Sequence, residues 1–200
     1  MMTDEKGRLT SRMGTGQLSA ASMIAAEAIH AKALLRQHWD LECYRGGELL
    51  WRDGFTNLVV NEGLTDILEN YYNGAAYTAA HFVGLTDGTP TFAAGDTMSS
   101  HAGWVEVVEY QADSGSPSAS VRPPYTPAAA ASQSINNSAA KAIFDIVAGM
   151  TVGGAFLSTD GTKGGTSGTL VGGNAFTGGD RTLAAGDTLN VTVTASMTST

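Results

Sequence analysis

Two hundred residues with 42% hydrophobic side chains supply enough apolar surface for one domain with a real core, which excludes a disordered chain. Glycine at 25 positions and only 15% charged residues fit short strands joined by many turns better than a helical bundle. Residues 1–60 hold seven basic and seven acidic side chains, so the remaining four basic and twelve acidic groups place 4 − 12 = −8 on residues 61–200, and such an acidic body argues against nucleic-acid binding.

The single cysteine, Cys43, rules out an internal disulfide and a cysteine-based zinc site, and reads as a small buried hydrophobe. No apolar run reaches the length of a membrane span. The start mixes acids with bases, and the apolar stretch after Leu18 is broken by Glu27 and His30, which argues against a cleaved signal peptide and for synthesis in a cytoplasm.

Residues 1–16 are polar, glycine-bearing and aperiodic, the pattern of a flexible arm. Over residues 19–38 the spacing predicts an Ala-rich amphipathic helix with Ile24, Ala28, Ala31 and Leu35 on one stripe. Alanines bury little area, at about 25 cal/mol per Å², so this helix needs another surface to dock on and is the candidate attachment element. Residues 1–38 therefore form the expected arm and residues 39–200 the β-domain.

That domain opens with a hairpin: Trp39 to Cys43 alternates, Gly46-Gly47 turns, and Glu48 to Arg52 returns. An extended segment over residues 55–60 follows. Asn61 is placed to cap a short helix whose Leu64, Ile67, Leu68 and Tyr71 share one face, and Asn73-Gly74 ends it. Strands are expected at residues 82–86, 103–110, 139–147 and 150–157, near 169–171, 176 and 181–183, and at the strictly alternating end 187–198. Within this list Trp104, Val108 and Tyr110 are expected on one core-facing side, and Ala140, Ala142, Phe144 and Ile146 on another. Residues 111–134 hold four of the five prolines and read as a long ordered excursion or a mobile loop. About eight or nine strands with one internal helix predict a mainly β protein, a jelly-roll-like antiparallel β-sandwich. The string Ala93-Ala94-Gly95-Asp96-Thr97 returns at Ala184-Ala185-Gly186-Asp187-Thr188, one turn chemistry used twice.

The motifs of catalysis fail on inspection. Gly161-Thr162-Lys163-Gly164-Gly165-Thr166-Ser167 lacks the Ser or Thr after lysine, and the helix pattern, that a phosphate loop requires. No nucleophile elbow occurs. Asp96 and His101 are the one pair that could meet on a metal, and two ligands make a weak site, so no metal or cofactor is expected. Glu106 and Glu109 have odd spacing, which on a regular strand points them to opposite faces and argues against a glycosidase pair. An enzyme is therefore not expected.

At Trp51-Arg52-Asp53-Gly54-Phe55-Thr56-Asn57-Leu58-Val59-Val60-Asn61-Glu62-Gly63-Leu64 the sequence resembles a family of small tailed-bacteriophage virion structural proteins. The likeness continues through Phe82 to Leu85, Asp96-Thr97-Met98 with His101, Gly103 to Glu106, Arg122-Pro123, Asn137-Ser138-Ala139, Gly153 to Leu157 and Gly186 to Leu189, covering residues 39–200. It implies a virion structural protein; together with the acidic body and the docking helix, the expected role is a capsid cement or decoration protein on the virion surface, bound to the major capsid protein and forming dimers or trimers, with attachment through the helix stripe Ile24, Ala28, Ala31 and Leu35. The alternative it leaves is a tail or fibre component in which Trp104 or the 111–134 loop touches host glycans. Neither nucleic acid nor membrane is an expected partner.

Overall fold

The computed structural model describes residues 33–74, 80–113 and 120–199. The first hairpin forms as its sequence predicts: β1 (Ala33–Arg45) pairs antiparallel with β2 (Glu48–Thr56), and Gly46 and Gly47 both take positive φ, 57° and 86°, as a two-residue turn between right-twisting strands requires. In β1 the residues Gln37, Trp39, Leu41 and Cys43 are buried while Arg36, His38 and Asp40 are exposed. That alternation reaches back into the segment where a helix is expected. The strand begins at Ala33 rather than Trp39, and Leu35 lies on it, not on a helix. Sheet pairing overrides the local Ala/Leu helix preference here: the Asn57 amide N–H donates to the Gln37 carbonyl at 2.9 Å, and the Asn57 side chain donates to Gln37 Oε1 at 2.6 Å. Ile24, Ala28 and Ala31, with the expected arm up to residue 32, lie outside the described residues.

The chain then crosses to a second layer. After β3 (Leu58–Val59) come helix α1 (Asn61–Tyr72), β4 (His81–Thr86), β5 (Tyr110–Asp113), β6 (Pro124–Tyr125), β7 (Ser134–Asn136), β8 (Ala142–Ile146), β9 (Met150–Val152), β10 (Gly154–Ser158), β11 (Leu170–Ala175), β12 (Arg181–Leu183) and β13 (Asp187–Ser199). One sheet has the order β2-β1-β13-β8-β5, with β7 also on β13; the other runs β3-β11-β10-β4-β6; β12 and β9 form a small third ladder. The first and last strands are neighbours, and the chain passes repeatedly between layers, so the fold is an antiparallel β-sandwich of jelly-roll-like character. Thirteen strands appear among the described residues, more than expected because several hold only two or three residues.

The terminal strand carries the alternation that its sequence announces, with Leu189, Val191 and Val193 fully buried. Its partner changes along its length: β8 pairs with residues 188–191 and β7 with 194–196. The buried Asn137 side chain fills the gap, donating to the Val191 carbonyl at 3.2 Å and accepting from the Val193 N–H at 2.7 Å.

Alternation on the second sheet divides the core in two. Val83, Leu85, Ala155, Leu157 and Val171 face the first sheet and join Trp39, Leu41, Phe55, Phe144 and Val191. Phe156 and Leu170 face outward and pack with Val60, Met98 and Trp104, with Phe92 partly covering them. All five residues of β10 are buried because both faces are covered.

Three expectations give way. Residues 103–109 form no strand; they contribute one bridge, Glu106 to Thr86, while the backbone of Val105 and Val107 borders β4 at 2.9 and 3.0 Å. Trp104 and Tyr110 are buried, but in different clusters, and Val108 is exposed. Ala140 is exposed and Phe176 falls just past β11, each in a turn flanking a strand. The described part of 111–134 is an ordered excursion holding β6 and the start of β7, tied to β4 and β13.

The repeated Ala-Ala-Gly-Asp-Thr turn makes the same hydrogen bonds in both places, although Gly186 takes a positive φ of 89° and Gly95 does not. Asp96 Oδ2 accepts from the Ala93 N–H at 3.0 Å, and Asp187 Oδ2 from the Ala184 N–H at 2.9 Å. The reverse bonds, Asp96 N–H to the Ala93 carbonyl and Asp187 N–H to the Ala184 carbonyl, are both 3.0 Å. Each aspartate closes its own turn and then spends its carboxylate on a long-range partner: the Trp104 indole N–H at 3.2 Å, or the Arg45 guanidinium at 2.6 and 2.9 Å.

Candidate functional site

Among the described residues, the hydrogen bonds and the closest packing that tie helix α1 to the sheets are at its first turn. Val60 precedes it fully buried, the Asn61 N–H donates to the Ala94 carbonyl at 2.9 Å, and Glu62 accepts from the Leu170 N–H at 2.7 Å. Gly63 is the sole buried residue of the helix and lies against the Val171 backbone, too close for any side chain. The cap differs from expectation, since Val60 is the N-cap residue and no side chain caps the helix; the Ala94 carbonyl, accepting from the Asn61 N–H, satisfies one of the free donors at this end instead. The C-terminal end follows the sequence: the Asn73 N–H donates to the Glu69 carbonyl, and Gly74 adopts φ 64°.

Beyond the first turn the apolar stripe is open. Leu68 is 57% exposed, Tyr71 80% and Tyr72 78%, with Leu64 and Ile67 also exposed. A stripe at helical spacing ordinarily covers a core, and here a row of large apolar side chains on one short helix is left exposed.

Beneath the helix is a cavity of about 600 Å³. Its floor combines both sheets through Leu35, Leu157, Val171, Val193 and Ala195, and Ile67 and Tyr71 of α1 lean over it. It lies where the inner face of β13 steps from Val193 to the small Ala195 and β7 replaces β8 as its partner. The wall is predominantly apolar, and no lysine or arginine among the described residues lines it.

Asp66 brings a carboxylate to the rim. Burial lowers the pKa of His81 on the opposite wall, with the Asp66 charge pulling weakly the other way, which favours neutral imidazole. Burial pushes the Tyr125 hydroxyl up to about 12, and it donates to the Ile135 carbonyl at 3.5 Å. The site can therefore accept apolar groups and a positive charge.

Of the proposed attachment residues, Leu35 lines this cavity, which gives it a role the helical reading did not foresee. The other candidate chemistry is absorbed structurally. His101 stacks on Trp104 at 3.7 Å between ring centroids, with Nδ1 3.0 Å from the Trp104 carbonyl, while Asp96 holds the same indole. No three His, Cys, Asp or Glu side chains among the described residues gather as metal ligands.

Glu106 and Glu109 do diverge: Glu106 is enclosed against Arg122 while Glu109 is exposed. Arg122 donates to both Glu106 oxygens at 2.8 and 2.7 Å, and to the carbonyls of Asp160 at 2.7 Å and Gly165 at 3.0 Å. The glycine-rich loop does bind an anion through its backbone, but the anion is the chain's own: the Gly164 N–H donates to Glu106 at 2.8 Å. Lys163 donates to the Tyr110 carbonyl and lies over the Tyr110 ring.

No family model matches the chain, and no curated protein matches it. Among the described residues no helix is long and apolar enough to cross a membrane. The open face of α1 and the cavity beneath it are the features on which a function can be built, and sequence reasoning found the stripe without its exposure.

Proposed function

We propose that the chain is a virion structural protein, a cement or decoration protein that binds the outer shell of a tailed-phage capsid and bridges neighbouring major capsid subunits. The observation that carries this is the exposed apolar face of α1, fixed to a β-sandwich by one turn and ready to be covered by another protein. The net charge of −8 on residues 61–200 suits an outer surface, away from packaged DNA, and the resemblance over residues 39–200 supplies the setting. The N-terminal segment adds contact area along a neighbouring subunit, or joins copies as dimers or trimers.

A tail or fibre component that binds glycans ranks second. Such a site needs an open aromatic platform, and Trp104 is enclosed by His101, Phe92 and Phe156. The test is stoichiometry in purified particles. A copy number comparable to that of the major capsid protein is expected, and a few copies per particle would overturn the shell assignment. Because β1 begins at Ala33, the informative truncation removes residues 1–32; it should leave a folded body that binds shells more weakly.

A further inference from the structure

The partner that covers α1 can be specified from charge and shape. The helix carries Glu62, Asp66 and Glu69 and no basic residue. Glu62 is engaged by the Leu170 N–H, whereas Asp66 faces the cavity and Glu69 the solvent. Apolar exposure is continuous from the cavity mouth at Ile67 and Tyr71 to Leu64, Leu68 and Tyr72 on the outside of the helix. A small molecule could fill the cavity but would leave Leu64, Leu68 and Tyr72 uncovered; a polypeptide segment covers both.

We infer that the site receives an amphipathic, Lys/Arg-bearing segment of the partner protein, whose apolar side chains enter the cavity over Ala195 and Val193 while a basic side chain meets Asp66. The inference rests on the reading of α1 as the attachment face. It adds the chemistry of what attaches: an apolar anchor in a desolvated pocket supplies most of the affinity, and the charge pair at the rim fixes register and excludes acidic competitors.

Two designed amphipathic peptides with one leucine pattern test it, one carrying lysine and the other glutamate at the polar positions, titrated against the full chain by fluorescence anisotropy. The lysine peptide should bind about tenfold tighter or better. Asp66→Asn should weaken it several-fold. Ala195→Phe, which fills the cavity floor, and Leu68→Glu, on the exposed face, should each weaken it about tenfold or more. Circular dichroism confirms the fold of each variant, and Leu68→Glu, lying outside the core, keeps the test valid should Ala195→Phe unfold.

Equal affinity for the two peptides, or lysine-peptide affinity unchanged by both Ala195→Phe and Leu68→Glu, would overturn the inference. So would displacement of bound anilinonaphthalene sulfonate by dodecanol from a chain that binds neither peptide, which would mark a small-molecule pocket. The virion reading fails separately: peptide discrimination in a chain present at a few copies per particle removes the shell role and leaves the docking chemistry standing.

Discussion

Around Arg122 the chain buries a complete ion pair: every guanidinium nitrogen donates, Glu106 receives the charge, and Phe156 packs against the flat face at 5.1 Å. Around α1 the same chain leaves five large apolar side chains exposed above a cavity, on a helix seated by one turn. The first region ties the 103–109 segment and the 159–169 loop to the Pro-rich excursion at points that lie outside the strands. The second relinquishes burial that a monomer would gain. The buried ion pair lies where irregular backbone must be fixed, and the exposed apolar surface lies where regular structure already fixes the backbone.

The contrast breaks most sharply at Arg122. Arg122→Met strands the enclosed Glu106 carboxylate, and thermal or urea unfolding should record a loss of about 3–5 kcal/mol. Adding Glu106→Leu should recover much of it, because an apolar pair of similar volume carries no desolvation penalty. A single variant within experimental error of the parent would refute the assignment of this network as the anchor of the loops.

Gly63→Ala tests the one point where the open region is seated. The new methyl meets the Val171 backbone, so a cost of about 1–3 kcal/mol is expected, with α1 displaced as read by hydrogen exchange at residues 64–72.

Asp187 gives a smaller, pH-dependent effect. Hydrogen bonding to Arg45, joined by the Ala184 N–H, holds its carboxyl below the usual range although burial opposes this. A depressed folded-state pKa stabilises the protein above the unfolded value, about 3.9, and that stabilisation fades as pH falls through the folded value. Asp187→Asn should therefore cost about 1 kcal/mol at neutral pH, the half-exposed Arg45 limiting the effect, and the gap to the parent should close below about pH 4. A gap that widens on acidification would contradict this.

Leu68→Glu should move stability by no more than about 0.5 kcal/mol, since the side chain touches no core. A much larger loss would show that the helix face belongs to the fold and not to a partner.

The strands that the sequence reveals are those whose two faces see different surroundings. Leu189, Val191 and Val193 alternate against polar neighbours because one side is core, and Gly46-Gly47 declares its hairpin by backbone chemistry alone. Where context is non-local the reading fails. Gln37 belongs to β1 because of Asn57, twenty residues away, and no local pattern could outvote the Ala-rich stretch before it. Trp104 and Tyr110 look like one strand face but enter separate clusters on either side of the second sheet.

The candidate site was half legible. Periodicity gives Leu64, Ile67, Leu68 and Tyr71 as a face, but nothing in a single sequence says whether a face is covered. The cavity is invisible in the sequence because its lining converges from residues as far apart as Leu35, Ile67, Leu157 and Ala195. No local pattern around Arg122, in a Pro-rich stretch, marks it as buried, and only the fold shows it wholly enclosed.

The central claim is that the α1 face is covered by another virion protein. A reconstruction of the purified particle at side-chain resolution tests it most directly. The account predicts this chain on the outer shell in many copies, with Leu64, Leu68 and Tyr72 buried against a major capsid subunit and a basic residue beside Asp66. An α1 face left in solvent, or the chain confined to the tail, would contradict it.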